Sequence, residues 1–334
     1  IEKKDRYGNK FQAYGGDFGE RPTDYNFSGN GIVYGGDRDE SPKMQEVKFN
    51  YQNISAEVTG TKVLIKNKNL FTNTNQFDCV VLLERDGKFL QREVVDTDVE
   101  PLCEKEYNLP MELPEVPGEY AVTVSFRLKE GTCWAKAGHE IAFGQGVFKV
   151  QERPEPITEE ITVIKGKWNI GVRGTHFECM FSIKDCGMVS YRYGGRELME
   201  KIPMPNFWRA PVDNDYGNKF PARYGQWKLA SMYVCKDEQA KENPRFEQKE
   251  HSAVITYYYV MPTTPETRCS LSYEVFGDGT VSVSLHYDPV KELGDMPEFG
   301  VLFKFNADFE NLEWYGDGPA ETYADRRHGA KLGI

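Results

Sequence analysis

The sequence predicts a mainly β protein, an immunoglobulin-like sandwich followed by a large twisted β-sandwich. Three observations carry this. Aromatic residues make up 13% of the chain, with 31 glycines and 18 prolines, a profile of turn-rich β architecture rather than of helical bundles. From about Asn53 the apolar period changes to two. Turn dipeptides, among them Asp86-Gly87, Gly194-Gly195 and Asp278-Gly279, then fall between alternating runs. At 334 residues the chain has room for two or three domains.

Taken in order, residues 1–12 are charged and read as a turn centred on Tyr7-Gly8-Asn9. Ala13 to Gly31, AYGGDFGERPTDYNFSGNG, has neither a helical nor a strand period. Its glycines and its Asp and Asn residues suit turns. It reads either as an ordered loop packed on its own rings or as a ligand site. A helix follows, with Ser41 as N-cap, Pro42 at the first helical position and Met44, Val47 and Tyr51 on one face. Next come a strand with Val63 and Ile65, and a hairpin of 77–84 and 89–95 about residues 85–88. Tyr120, Val122, Val124, Phe126 and Leu128 alternate with Ala121, Thr123, Ser125 and Arg127, which predicts a half-buried strand. Two further strands are expected at 138–143 and 146–151. About seven short strands over this length fit an immunoglobulin-like sandwich. QERPEPITEE, residues 151–160, reads as a stiff, solvated linker. Beyond it lie hairpins about Gly194-Gly195 and residues 276–280, and an aromatic strand, 254–260, in which Tyr258 faces away from Tyr257 and Tyr259.

The net charge of −11 argues against a nucleic-acid or anionic-membrane surface, and no apolar run is long enough to span a bilayer. The seven cysteines are scattered without C-x-x-C spacing, so zinc is poorly supported. They read as mostly buried thiols in a reducing, cytoplasmic setting. The five histidines have no recognisable ligand spacing and read as surface or satisfied imidazoles. The opening Ile-Glu-Lys-Lys carries no methionine or signal peptide, and the chain reads as an excised piece.

Three stretches resemble the large bacterial β-galactosidases of glycoside hydrolase family two. Gly15-Gly16-Asp17-Phe18-Gly19-Glu20-Arg21-Pro22-Thr23-Asp24, then Phe27 and Asn30-Gly31-Ile32-Val33, is similar to that family's GGDFGDxPNDxxFxxNGLV. Phe207 to Asp215 (FWRAPVDND) and Trp314 to Arg326 (WYGDGPAETYADR) resemble stretches of its last domain, in the family's order. The resemblance implies that residues 1–50 are the C-terminal remnant of a catalytic (β/α)8 barrel. It gives 51–152 as the immunoglobulin-like sandwich, 153–160 as linker and 161–334 as a large sandwich lacking its final strands, with unpaired edges expected. It implies a retaining hydrolase of terminal β-galactosides, whose two catalytic glutamates lie upstream of Ile1. The chain alone is therefore expected to be inactive, with no catalytic residue of its own; Asp17 and Asp24 are not assigned as an acid/base pair. Such a pair would need carboxyl groups about 5–5.5 Å apart.

The family's loop holds a sodium ion through the backbone carbonyl of a Phe and an Asn side chain, positions matched by Phe27 and Asn30. The same Asn lies beside a galactose hydroxyl and the Phe ring is a movable wall, so both residues are also substrate-binding candidates. Oxygen ligands suit a hard cation. Sodium and magnesium are expected in the whole enzyme, with no complete site in this piece. Thr23 stands where the family often has an Asn associated with a second magnesium, and that site is not carried over. Arg209, Asp213, Asn214 and Asp215 read either as a metal or sugar contact or, preferred, as an Arg–carboxylate pair holding a loop. Trp314, Tyr323, Asp325 and Arg326 read as packed aromatics beside a paired Arg. A homo-oligomer is expected for the whole enzyme. Alternatives are a stand-alone carbohydrate-binding sandwich, with the Tyr257–Tyr259 run as its stacking platform, and a family member acting on another β-linked sugar.

Overall fold

The computed structural model describes residues 2–13, 15–22, 31–34, 38–112, 114–151 and 157–334, with the backbone alone at Asp213. They form two compact units, Ile1–Arg153 with Leu312–Ile334, and Pro154–Asn311.

The first unit opens with β1 (Glu2–Lys4) paired antiparallel to β2 (Lys10–Gln12) about the expected turn. Helix α1 (Lys43–Tyr51) follows. Ser41 is not its N-cap: Pro42 takes that position, and the Ser41 hydroxyl donates to the Ile32 carbonyl instead (2.8 Å). Its C-cap Gln52 is a clamp. The side-chain amide donates to Phe143 O and accepts from Phe143 N–H, both at 3.0 Å, as a paired strand would.

Seven strands then build the sandwich. β3 (Ile54–Thr59), β4 (Lys62–Asn67) and β7 (Glu104–Asn108) form one sheet. β5 (Phe77–Arg85), β6 (Lys88–Val95), β8 (Gly118–Leu128) and β9 (Glu140–Val150) form the other, in the order β6-β5-β8-β9. The Asp86-Gly87 turn has φ of 50° and 72°, the left-handed pair a tight two-residue hairpin requires. The core between the sheets is mostly aliphatic, with Ile54, Val63, Ile65, Val81, Leu83, Val122 and Val124.

Two sequence expectations need correction here. One strand, β9 (Glu140–Val150), stands where two were expected over 138–143 and 146–151. Gly144 and Gly146 mark no turn: a Cβ on Gly144 would sit 1.8 Å from Ala56 O, and one on Gly146 2.6 Å from Val58 O. These glycines admit the backbone of β3. The second correction is that β8 is buried on both faces, Ala121, Thr123 and Ser125 included. The neighbouring strand supplies polar partners on its outer face: Gln145 donates to Thr123 Oγ1 (2.9 Å) and Glu140 accepts from Ser125 Oγ (2.6 Å).

The second unit holds a five-stranded sheet of β10 (Thr162–Lys165), β11 (Asn169–Arg173), β12 (Phe177–Ser182), β13 (Gly187–Tyr193) and β14 (Arg196–Glu197), in that order. β15 (Met199–Asn206) follows. Three short helices come next, none of them expected from the period of the sequence: α2 (Asp213–Gly217), α3 (Phe220–Arg223) and α4 (Gly225–Tyr233). A second large sheet contains β16 (Cys235–Lys236), β17 (Arg245–Gln248), β18 (Ser252–Met261), β19 (Thr267–Phe276) and β20 (Val281–Tyr287). β21 (Gly300–Phe305) pairs with β15, its one strand partner among the described residues. Its Leu302, Phe303 and Phe305 are exposed.

This core is aromatic. Tyr257, Tyr259 and Tyr273 are buried with Phe181, Phe207 and Trp227. The buried hydroxyls reach backbone carbonyls across the core: Tyr257 donates to Ser182 O (3.0 Å) and Tyr259 to Cys186 O (2.6 Å).

Residues 312–334 return to the first unit, where β22 (Gly316–Gly318) pairs with β23 (Lys331–Gly333).

Candidate functional site

In the stretch from Ala13 to Gly31 the described residues support one another. Gly16 and Phe18 donate their backbone N–H groups to Glu20 (2.7 and 3.2 Å). Backbone N–H donors, led by Glu20's own, hold that carboxyl below the usual carboxylate range, since a carboxylate that accepts them is favoured in its charged form. The Lys3 ammonium lies 4.5 Å from the centre of the Phe18 ring and donates to Asp17 O. Further on, Lys43 Nζ donates to Gly31 O (3.0 Å). Phe27 and Asn30, like Thr23 and Asp24, lie outside the described residues.

At the second motif the structural reading of the Arg–carboxylate pair is the one observed. Arg209 grips Asp215 through both terminal nitrogens (2.6 and 3.2 Å), and Val212 N–H also donates to Asp215 (2.8 Å). The Arg209 guanidinium and then the Val212 N–H hold the Asp215 carboxyl low. The pair closes the turn into α2.

At the third motif Arg326 is paired, with Glu321 (2.6 Å) and the face of Tyr323 (4.9 Å). The aromatics are not packed as expected: Trp314 is 55% and Tyr323 59% exposed. A strap bound to the surface by polar groups leaves its rings in solvent.

The tyrosine run supplies no stacking platform at Tyr257 and Tyr259, which are core residues. Among the described residues no group of three or more His, Cys, Asp or Glu side chains could hold a metal. Four of the seven cysteines are buried and none is paired. Burial pushes the thiols of Cys79, Cys179, Cys186 and Cys269 up to about 12, which keeps them protonated and unreactive. No helix among the described residues is long and apolar enough to cross a membrane.

Two clefts remain. One, about 810 Å³, lies on the outer face of the four-stranded sheet beside Leu82, Arg92, Arg127, Glu140, Trp314 and Lys331. The other, about 770 Å³, lies in the second unit beside Met204, Trp208, Met232, Leu302 and Phe303. Glu140 is the most strongly engaged carboxylate of the first cleft. Burial raises its pKa, but the Lys331 ammonium, the Ser125 hydroxyl and Lys48 outweigh burial and hold it below the usual range. Sequence reasoning passed over this residue, because Glu140, Ser125 and Lys331 are far apart in the chain.

The described residues form two β-sandwich units, with the loop and helix α1 ahead of the first. Comparison with known proteins gives the class of protein. Residues 1–56 match a family model described as the glycosyl hydrolases family 2 TIM barrel domain. Residues 63–149 match beta-galactosidase domain 4, and 173–334 match the beta galactosidase small chain. The chain is 43% identical over 331 residues to a beta-galactosidase of Clostridium acetobutylicum, covering 98% of this chain and 36% of that protein. It is 42% identical over 342 residues to one of Halalkalibacterium halodurans, covering 99% and 33%. A beta-galactosidase small subunit of Latilactobacillus sakei is 33% identical over 190 residues, covering 52% and 59%. The chain thus belongs to glycoside hydrolase family two, corresponding to a C-terminal region of its β-galactosidases. It spans about a third of the length of the two long relatives.

Proposed function

We propose that this chain is the non-catalytic C-terminal portion of a retaining β-galactosidase. Its role is to brace the barrel through α1 and to shape the rim of the sugar site. The observation that carries the reading is the match of nearly the whole chain, at 42–43% identity, to two proteins named beta-galactosidase. The two carboxyl groups that a retaining mechanism needs are assigned to the barrel upstream. Within the loop, Phe27 and Asn30 are proposed as one part of a sodium site and as galactose contacts. Magnesium is proposed for the whole enzyme, outside Thr23. The proposed divisions are 1–50, 51–152, 153–160 and 161–334, in a cytoplasmic, self-associating enzyme.

The clamp of Gln52 on Phe143 supports the bracing role: it ties the C-terminus of the barrel-end helix to β9 through two hydrogen bonds. The test is hydrolysis of an aryl β-galactoside. The chain alone is expected to give no turnover above buffer, and an in-frame upstream barrel to restore it. Turnover by the chain alone that disappears with a single carboxylate substitution would refute the reading. In the restored enzyme, Asn30→Ala is expected to raise KM and abolish activation by sodium.

A further inference from the structure

The match to a small chain runs unbroken from residue 173 to 334, yet the fold divides it. Its last stretch, Leu312–Ile334, belongs to the unit built by residues 1–153. We propose that residues 312–334 are a docking arm, by which the small-chain half of this protein recognises the barrel-end helix and β9 of the preceding half. It is a latch able to hold the two halves together when no peptide bond joins them. The proposal concerns assembly and stands whatever sugar the whole protein acts on.

The arm is bound by polar groups that read its backbone. Gln145 accepts from Leu332 N–H (2.8 Å) and donates to Leu332 O (3.2 Å). This is the same two-bond clamp that Gln52 places on Phe143, now turned toward the arm. From α1, Gln45 accepts the Ala320 N–H (3.2 Å) and Glu46 the Gly329 N–H (2.9 Å). Lys331 donates to both oxygens of Glu140 at 2.8 Å and lies 4.2 Å from the centre of the Phe143 ring. His328 lies 3.4 Å from Glu46 and stacks at 6.3 Å on Phe49.

Approach is close: a Cβ on Gly329 would fall 2.2 Å from Gln45 O. Backbone-to-side-chain pairs of this kind fix register and orientation.

The arm is also separable. The sandwich core of the first unit draws every member from residues 54–150. The core of the second draws every member from residues 161–301. Neither needs residues 312–334 to close. The arm therefore adds contact without completing a core, as an interface does and a core strand does not.

The experiment uses the full chain with a specific protease site placed within residues 152–156. After cleavage, the two fragments are expected to stay together on size-exclusion chromatography at about 1 μM, a Kd in the range of a specific complex. Gln145→Ala combined with Lys331→Met is expected to weaken them at least about tenfold. Far-UV circular dichroism of the uncleaved variant checks that both units are folded. A synthetic peptide of residues 312–334 tests the arm without any substitution: in excess, it should displace the later fragment from the cleaved wild-type complex. Fragments that separate at 1 μM, an affinity unmoved by the double variant, or a complex indifferent to the peptide would each overturn the proposal.

Discussion

The two sandwiches are closed in different ways. The first has an aliphatic core, and polar side chains that bond to distant backbone seal its outer surfaces. Gln52, Gln145 and Glu46 each take up main-chain groups far away in sequence. The second has an aromatic core whose tyrosine hydroxyls carry the polar work inward, to carbonyls of the facing sheet. Aliphatic side chains fill volume but cannot satisfy a buried carbonyl. A Tyr does both.

Substitutions should separate these two strategies. The largest effect is expected at Trp227, 1% exposed and packed on Phe207 and Tyr287. Trp227→Ala should cost about 3–5 kcal/mol, read as loss of the second unit's denaturant transition while that of the first remains. Equal loss in both units would end the idea that each core closes by itself.

Gly144→Ala in the first unit should cost about 1–3 kcal/mol through overpacking on Ala56 O, measurable by thermal unfolding. A neutral result would mean that β3 and β9 can part without consequence.

Glu140→Gln should cost about 2 kcal/mol, less than a fully buried pair would lose, because the Lys331 side chain stays 34% exposed. The pH dependence follows from its depressed pKa. The contribution is complete above the ordinary carboxylate value of about 4.3 and is lost as pH falls through the lower folded value. Lys331, Lys48 and Ser125 face this carboxyl, and Lys331 also acts on the partly buried Glu84. Melting curves between pH 6 and 3 should therefore fall more steeply for wild type than for Glu140→Gln. Parallel curves would remove Glu140 from the acid response.

The smallest effect is expected at Tyr259→Phe, about 1 kcal/mol for the lost bond to Cys186 O, read from the second unit's transition midpoint. A loss below a few tenths would show that the aromatic body, not the hydroxyl, closes that core.

Much of this molecule was legible along the chain. The Asp86-Gly87 hairpin, the alternation in 252–261 and the outward turn of Tyr258 follow from local rules, because hairpin φ angles and strand faces depend on adjacent residues alone. The three motifs placed the chain in its family for a similar reason, each being contiguous. The cap of α1 was misread by one residue because Ser41 found a better acceptor in Ile32 O, which its neighbours in sequence do not reveal.

The candidate sites divide in the same way. Arg209 and Asp215 lie six positions apart, and their pairing was foreseen as one of two readings. The cluster of Glu140, Ser125 and Lys331 was not, since Lys331 and Glu140 are 191 positions apart. By itself, then, the sequence determined strands, turns, two sandwich cores and a family. Only the tertiary structure decided that Gly144 and Gly146 are close approaches rather than breaks, that β8 is covered on both faces, and that 312–334 belongs with the first unit. Each of these depends on which backbone lies alongside, and that is set by packing between segments whose separation along the chain carries no local signal.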